Sequence, residues 1–292
     1  MPKEITHILT AKGVLRHLRS VEQTRLSHVI EKNLGGFFLG AIIPDSVYYD
    51  VPPFCLNPHE HSWIAHDLHR HKPADNDAKA TALFRAIGTR PYAWKLKVAF
   101  SAGVITHTVA DRVFHEAIDH YISAWGETGK SAQATHYEIE TLIDLLLLQY
   151  LGMTPRQFVR KNPIRLDHAS VLRLCHFYLN HLMGNGRTPD PKLIHALRMA
   201  ISQQGLFLRL FMIRPLGLAV NAMSKFTEAQ LQAWNRLFYP DRIEHDSFPV
   251  LLKLGIESPA RWRWFVEEVR RLQELAIGEA ANNILSALRM LA

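Results

Sequence analysis

THTVADRVFHEAIDH, residues 106–120, decides the fold. Together with Val98, Val104, Ile105 and Val109, it places apolar residues at helical rather than alternating spacing. It also sets His107, Asp111 and His115 at i, i+4 and i+8, so all three share one stripe of one long helix that runs on from Pro91. A second helix opens after Gly129 and Ser131, carries His136 and Glu140 at i, i+4, and continues through Leu142, Ile143, Leu146 and Leu147. The same period recurs in Ile5, Ile8, Leu9, Val14, Leu15 and Leu18 near the start, and in segments 166–183, 190–203, 205–222, 227–238, 258–276 and 278–291. No alternating strand pattern interrupts them, so the expected fold is all-α, a multi-helix bundle with additional C-terminal helices.

The exception is Pro44 to Asp77, which contains Pro44, Pro52, Pro53, Pro58 and Pro73 and reads as a long loop. Loops of this length in a compact domain are usually functional or disordered. This one holds His59, His61, His66, His69 and His71, which points to function. A softer boundary falls at Gly152–Pro163, beyond which the histidine and carboxylate pattern thins. The expected organisation is a metal-binding helical core over 1–152, with 153–292 packed on the same body as one compact domain.

The 292 residues carry 34 Lys plus Arg against 27 Asp plus Glu, a formal +7 that favours an anionic partner. Basic residues are scattered, with no run of the kind found in nucleic-acid tails. Two cysteines, Cys55 and Cys175, argue against a disulfide framework, and residues 1–35 lack an uninterrupted apolar signal core; a cytoplasmic protein is the expectation. The most apolar stretch, Gly205–Met223, is broken by Arg209, Arg214 and Pro215, short of the about 20 apolar residues a spanning helix needs. It reads as a buried helix pair, with peripheral lipid contact as the alternative.

Imidazole nitrogens and carboxylate oxygens are the usual non-thiolate ligands of zinc, and the same mixture suits iron or manganese. Two helices packed side by side, one bearing His107, Asp111 and His115 and the other His136 and Glu140, can surround cations with inward-facing donors. Asp111, with a histidine one turn to either side, is placed to bridge two ions. His120, Asp119 and Asp144 are spare ligands or hydrogen-bond partners behind the imidazoles.

The ordered set KEITHILTAKGVL (3–15), GAIIPDSVYYD (40–50), the His-rich loop, HTVADRVFH (107–115) and HYEIE (136–140) resembles the zinc-dependent phospholipase C family, which includes the clostridial alpha-toxin. The resemblance covers roughly residues 1–145. It implies a bundle binding two or three zinc ions: one on Asp45, His69, His107 and Asp111, a second on His115, His136 and Glu140, and a third on His7 with Asp111 bridging. His66 and His71 compete with His69 for the loop position. It further implies cleavage of a phosphoester by metal-activated water, with Asp45 orienting or deprotonating that water. The chain departs from exported members in having Met1 and Pro2 where they expose an N-terminal tryptophan, and in having no counterpart of alpha-toxin's β-sandwich. Alternatives on the same scaffold are a single-strand nuclease or phosphatase and a di-iron or other di-metal biosynthetic enzyme acting on a small molecule. A non-catalytic helical interaction protein is a different class, and it would show no metal.

Overall fold

The computed structural model describes residues 4–49, 64, 73–87, 93–161, 164–183, 188–224, 235–240, 243–244, 248–256 and 258–289. Among them the secondary structure is helical, with no strand. The helices are α1 (Glu4–Ser20), α2 (Thr24–Lys32), α3 (Leu34–Ser46), α4 (Pro73–Arg85), α5 (Trp94–Ala124), α6 (Gly129–Tyr150), α7 (Pro155–Lys161), α8 (His168–Met183), α9 (Pro191–Leu210), α10 (Arg214–Ser224), α11 (Val250–Lys253) and α12 (Pro259–Arg289). The all-α expectation is met.

Several boundaries differ from the sequence reading for identifiable reasons. Pro44 does not end α3, which continues to Ser46 and then tightens into a 3₁₀ turn over Val47–Tyr49. Both ends of the stretch expected as loop are thus helical, since a helix also opens at Pro73, where proline suits a first helical position; between Tyr49 and Pro73 only Ile64 is among the described residues. Gly205 and Gly278 do not divide their helices: each has open space where a Cβ would stand, and an isolated glycine weakens a helix by only about 1 kcal/mol. The break falls instead at 211–213, just before Pro215, where α9 and α10 are bent by 90°. Among the described residues no single helix is long and apolar enough to cross a membrane. Most of the expected helix at 227–238 lies outside the described residues.

The chain forms two compact units, each taking segments from both sides of Gly152–Pro163. One comprises His7–Ala110, Pro163–Leu206 and Ala276–Ala292. Its core is built where α3 crosses α5 with almost no space between the backbones. A Cβ on Gly40 would stand 2.1 Å from the Phe100 carbonyl oxygen, and one on Gly103 would stand 2.1 Å from that of Phe37. Only glycine permits this approach. Phe100 then packs edge-on against Phe177 and Tyr178 of α8. Cys175 on the same helix is buried, and burial pushes its thiol up to about 12, so it serves as packing.

The other unit comprises Met1–Thr6, Asp111–Asn162 and Phe207–Leu275. Buried carboxylates organise it. Asp144 of α6 accepts hydrogen bonds from the Thr6 backbone N–H (2.8 Å), the Thr6 hydroxyl and the Tyr239 hydroxyl. Glu138 accepts one from the Val250 backbone N–H at 2.6 Å and faces Arg236 at 3.5 Å; burial still raises its carboxyl above the ordinary value. Each of these bonds ties α6 to a distant segment of chain, which fixes the rotation of the helix and hence the direction of His136 and Glu140.

Candidate metal centre

His7 lies in the first turn of α1, Asp45 at the end of α3 and His107 in the middle of α5, and the three side chains meet in the first unit. All are buried. The His7 Nε2 is 3.5 Å from Asp45 Oδ2, and the His107 Nε2 is 3.7 Å from Asp45 Oδ1, while the two imidazoles stack at 4.1 Å between centroids. These separations are too long for good hydrogen bonds. They suit ligands of one cation, since two donors each about 2.0–2.1 Å from a tetrahedral zinc stand about 3.4 Å apart.

Two further observations fit a metal. Neither ring nitrogen of His7 makes a hydrogen bond, although the side chain is fully buried. A buried imidazole without partners is costly, and a cation supplies the missing interaction. The Nδ1 of His107 lies 3.0 Å from the Ala41 carbonyl oxygen. That carbonyl can only accept, so Nδ1 carries the proton and the Nε2 lone pair is directed at the Asp45 side, the tautomer a ligand requires. The close approach of α3 and α5 at Gly40 and Gly103 is what brings this carbonyl within reach.

The second unit holds a second group, His115 on α5 with His136 and Glu140 on α6. His136 Nε2 is 3.1 Å and His115 Nε2 3.6 Å from the same oxygen, Glu140 Oε1, and the two rings meet edge to face at 4.9 Å. Glu140 is 1% exposed, whereas the imidazoles are partly open to solvent. Burial alone would raise the Glu140 carboxyl, but the surrounding positive charge and imidazole hydrogen bonds win and hold it well below the usual carboxylate range. Burial lowers His136, keeping that ring neutral at neutral pH. An ionised Glu140 beside a neutral His136 is the protonation state in which these two groups ligate.

A carboxylate stands behind each imidazole: Asp111 Oδ2 is 3.5 Å from His115 Nδ1, and Asp119 Oδ1 is 3.9 Å from His136 Nδ1. Asp111, His115 and Asp119 follow one another at i, i+4 and i+8 along α5.

The structure thus gathers His7, Asp45 and His107 in one place, and His115, His136 and Glu140 in another, with Asp111 against His115. His7 joins Asp45 and His107, whereas the family resemblance assigns it to a separate ion. His69 lies outside the described residues, as do His66 and His71. His120 is exposed beside Tyr121 and belongs to neither group, and Asp144 is engaged with Thr6 and Tyr239. Sequence reasoning missed the Ala41 carbonyl and Tyr239; a backbone carbonyl leaves no trace in residue type, and Tyr239 is 95 positions from its partner.

One buried and one partly exposed set of nitrogen and oxygen donors, all carried on helices, are the candidate metal-binding groups of a helical protein. The sequence matches the family model described as zinc dependent phospholipase C over residues 6–183, and the chain belongs to that family. The match takes in every residue of both groups. No curated protein and no solved structure matches the chain.

Proposed function

We propose that the chain is a zinc-dependent phosphodiesterase of the phospholipase C type. The observation that supports this most directly is the pair of histidine and carboxylate groups, each with donor atoms within 4.8 Å of one another, in a member of a zinc-dependent family. His7, Asp45 and His107 would hold one ion, and His115, His136 and Glu140 another. Ions bound in this way polarise phosphoryl oxygens and lower the pKa of a coordinated water. The protein's own residues prepare that chemistry. Glu140 stays ionised and His136 neutral, and the Ala41 carbonyl fixes the His107 tautomer. Asp45, a buried carboxylate between two imidazoles, is the residue to orient or deprotonate the attacking water. The net charge of +7 favours arrival of an anionic ester.

Plasma mass spectrometry on protein purified without chelator should find at least two zinc ions per chain. A chromogenic choline phosphodiester should be hydrolysed in preference to single-stranded DNA. Ligating imidazoles must be neutral, so zinc should be retained at neutral pH and lost on acidification, and activity should follow zinc content as it is stripped and restored. Bound iron with no phosphodiesterase activity, or full turnover by the zinc-free protein, would overturn the proposal. Cleavage of DNA alone would move it to a nuclease.

A further inference from the structure

We infer that α10 and the break before it form a docking surface for an anionic lipid bilayer. The surface lies wholly outside the segment that matches the family, and the inference does not depend on the chemistry of the metal groups.

The inner side of α10 is held in place. Phe211 is buried, meets Phe238 edge to face at 5.3 Å, and accepts a hydrogen bond at its carbonyl from the Tyr239 N–H. A Cβ on Gly217 would stand 3.1 Å from the Phe238 ring, so the helix sits close against this aromatic. The outer side has the wrong composition for water. Its exposed positions are Arg214, Pro215, Leu216, Leu218, Ala219, Asn221, Ala222 and Met223, of which only Arg214 and Asn221 are polar. Helical spacing puts Leu216, Ala219 and Met223 on one stripe, with Leu218 and Ala222 beside it. Ile213 is 45%, Leu218 59% and Met223 58% exposed. A surface helix of a globular protein normally shows the opposite arrangement, and a contiguous apolar patch marks an interaction site.

Charge selects the partner. From Phe207 to Thr227 the sequence carries Arg209, Arg214 and Lys225 and no acidic residue, and both arginines are exposed. Apolar side chains flanked by arginines match a bilayer with acidic headgroups: the side chains enter the acyl boundary and the guanidinium groups meet phosphate. A second copy fits less well, because a two-fold contact through this patch would bring like charges together. A single-stranded nucleic acid would need exposed aromatic rings for base stacking, and α10 has none.

The test is flotation of the full-length protein with vesicles of phosphatidylserine and phosphatidylcholine, beside vesicles of phosphatidylcholine alone. Binding to the anionic vesicles should fall at least tenfold in a Leu218→Asp, Met223→Asp variant. It should fall about fivefold for each of Arg209→Gln and Arg214→Gln, the factor equivalent to the roughly 1 kcal/mol contributed per basic residue near an anionic surface. Circular dichroism and zinc content unchanged in the variants would show that they fold. Absence of binding to anionic vesicles, binding unaltered in correctly folded variants, or a dimer that the Asp substitutions dissociate without any vesicle binding would each overturn the inference. Hydrolysis of a soluble phosphodiester, measured in parallel, reports separately on the proposed activity.

Discussion

Glu140→Gln should leave the protein folded and reduce kcat/KM by about 10³-fold, roughly 4 kcal/mol of transition-state stabilisation, with loss of zinc from its group. Glutamine keeps the shape but removes the anionic oxygen that His136 and His115 both face at 3.1 and 3.6 Å. Because Glu140 is buried, no water can replace that oxygen. The metal-free protein offers a second readout. The folded carboxyl lies below its unfolded value, so the ionised form stabilises the fold above the unfolded pKa, and this contribution is lost as pH falls through the folded one. The acid limb of a stability profile should therefore flatten in the Gln variant. Wild-type turnover together with full zinc content would show that Glu140 is not a ligand.

Gly103→Ala should lower stability by about 3 kcal/mol, at the upper end for an overpacked core, and the melting temperature by about 5–10 °C. A methyl group there meets the Phe37 carbonyl oxygen at 2.1 Å and the Ala41 nitrogen at 2.8 Å, and both are main-chain atoms of a helix that cannot rotate away. The helices must separate. Separation also draws the Ala41 carbonyl from His107, so zinc affinity should weaken with stability. Gly278→Ala provides the contrast: it lies inside α12 with nothing within 4 Å, and alanine there should stabilise by up to about 1 kcal/mol. Equal melting temperatures for the Gly103 variant and the wild type would show that the crossing is looser than described.

The sequence carried the parts of this architecture that are local. A period of 3.6 identified the helices, and i, i+4 spacing put His136 with Glu140 and His115 with Asp111, because both facts are encoded within a few residues. The convergence of His7, Asp45 and His107 was harder to read, since it joins positions 100 residues apart and depends on two glycines whose role emerges only when the helices cross. Family motifs put Asp45 and His107 on one ion but assigned His7 to another, whereas the structure brings all three together. The helix boundaries expected beside Gly205 and Gly278 fall inside continuous helices, and the real break lies at 211–213, just before Pro215.

The two ring nitrogens of His7, neither of which makes a hydrogen bond, carry a wider implication. A cation bound there satisfies the native state only, since the unfolded chain scatters the ligands, so each tenfold rise in free ion above the dissociation constant adds about 1.4 kcal/mol to the folding free energy. Ion supply would then govern how much of this protein persists as well as how fast it works: under scarcity the polypeptide is lost to proteolysis, and its abundance becomes a record of the zinc its surroundings provide.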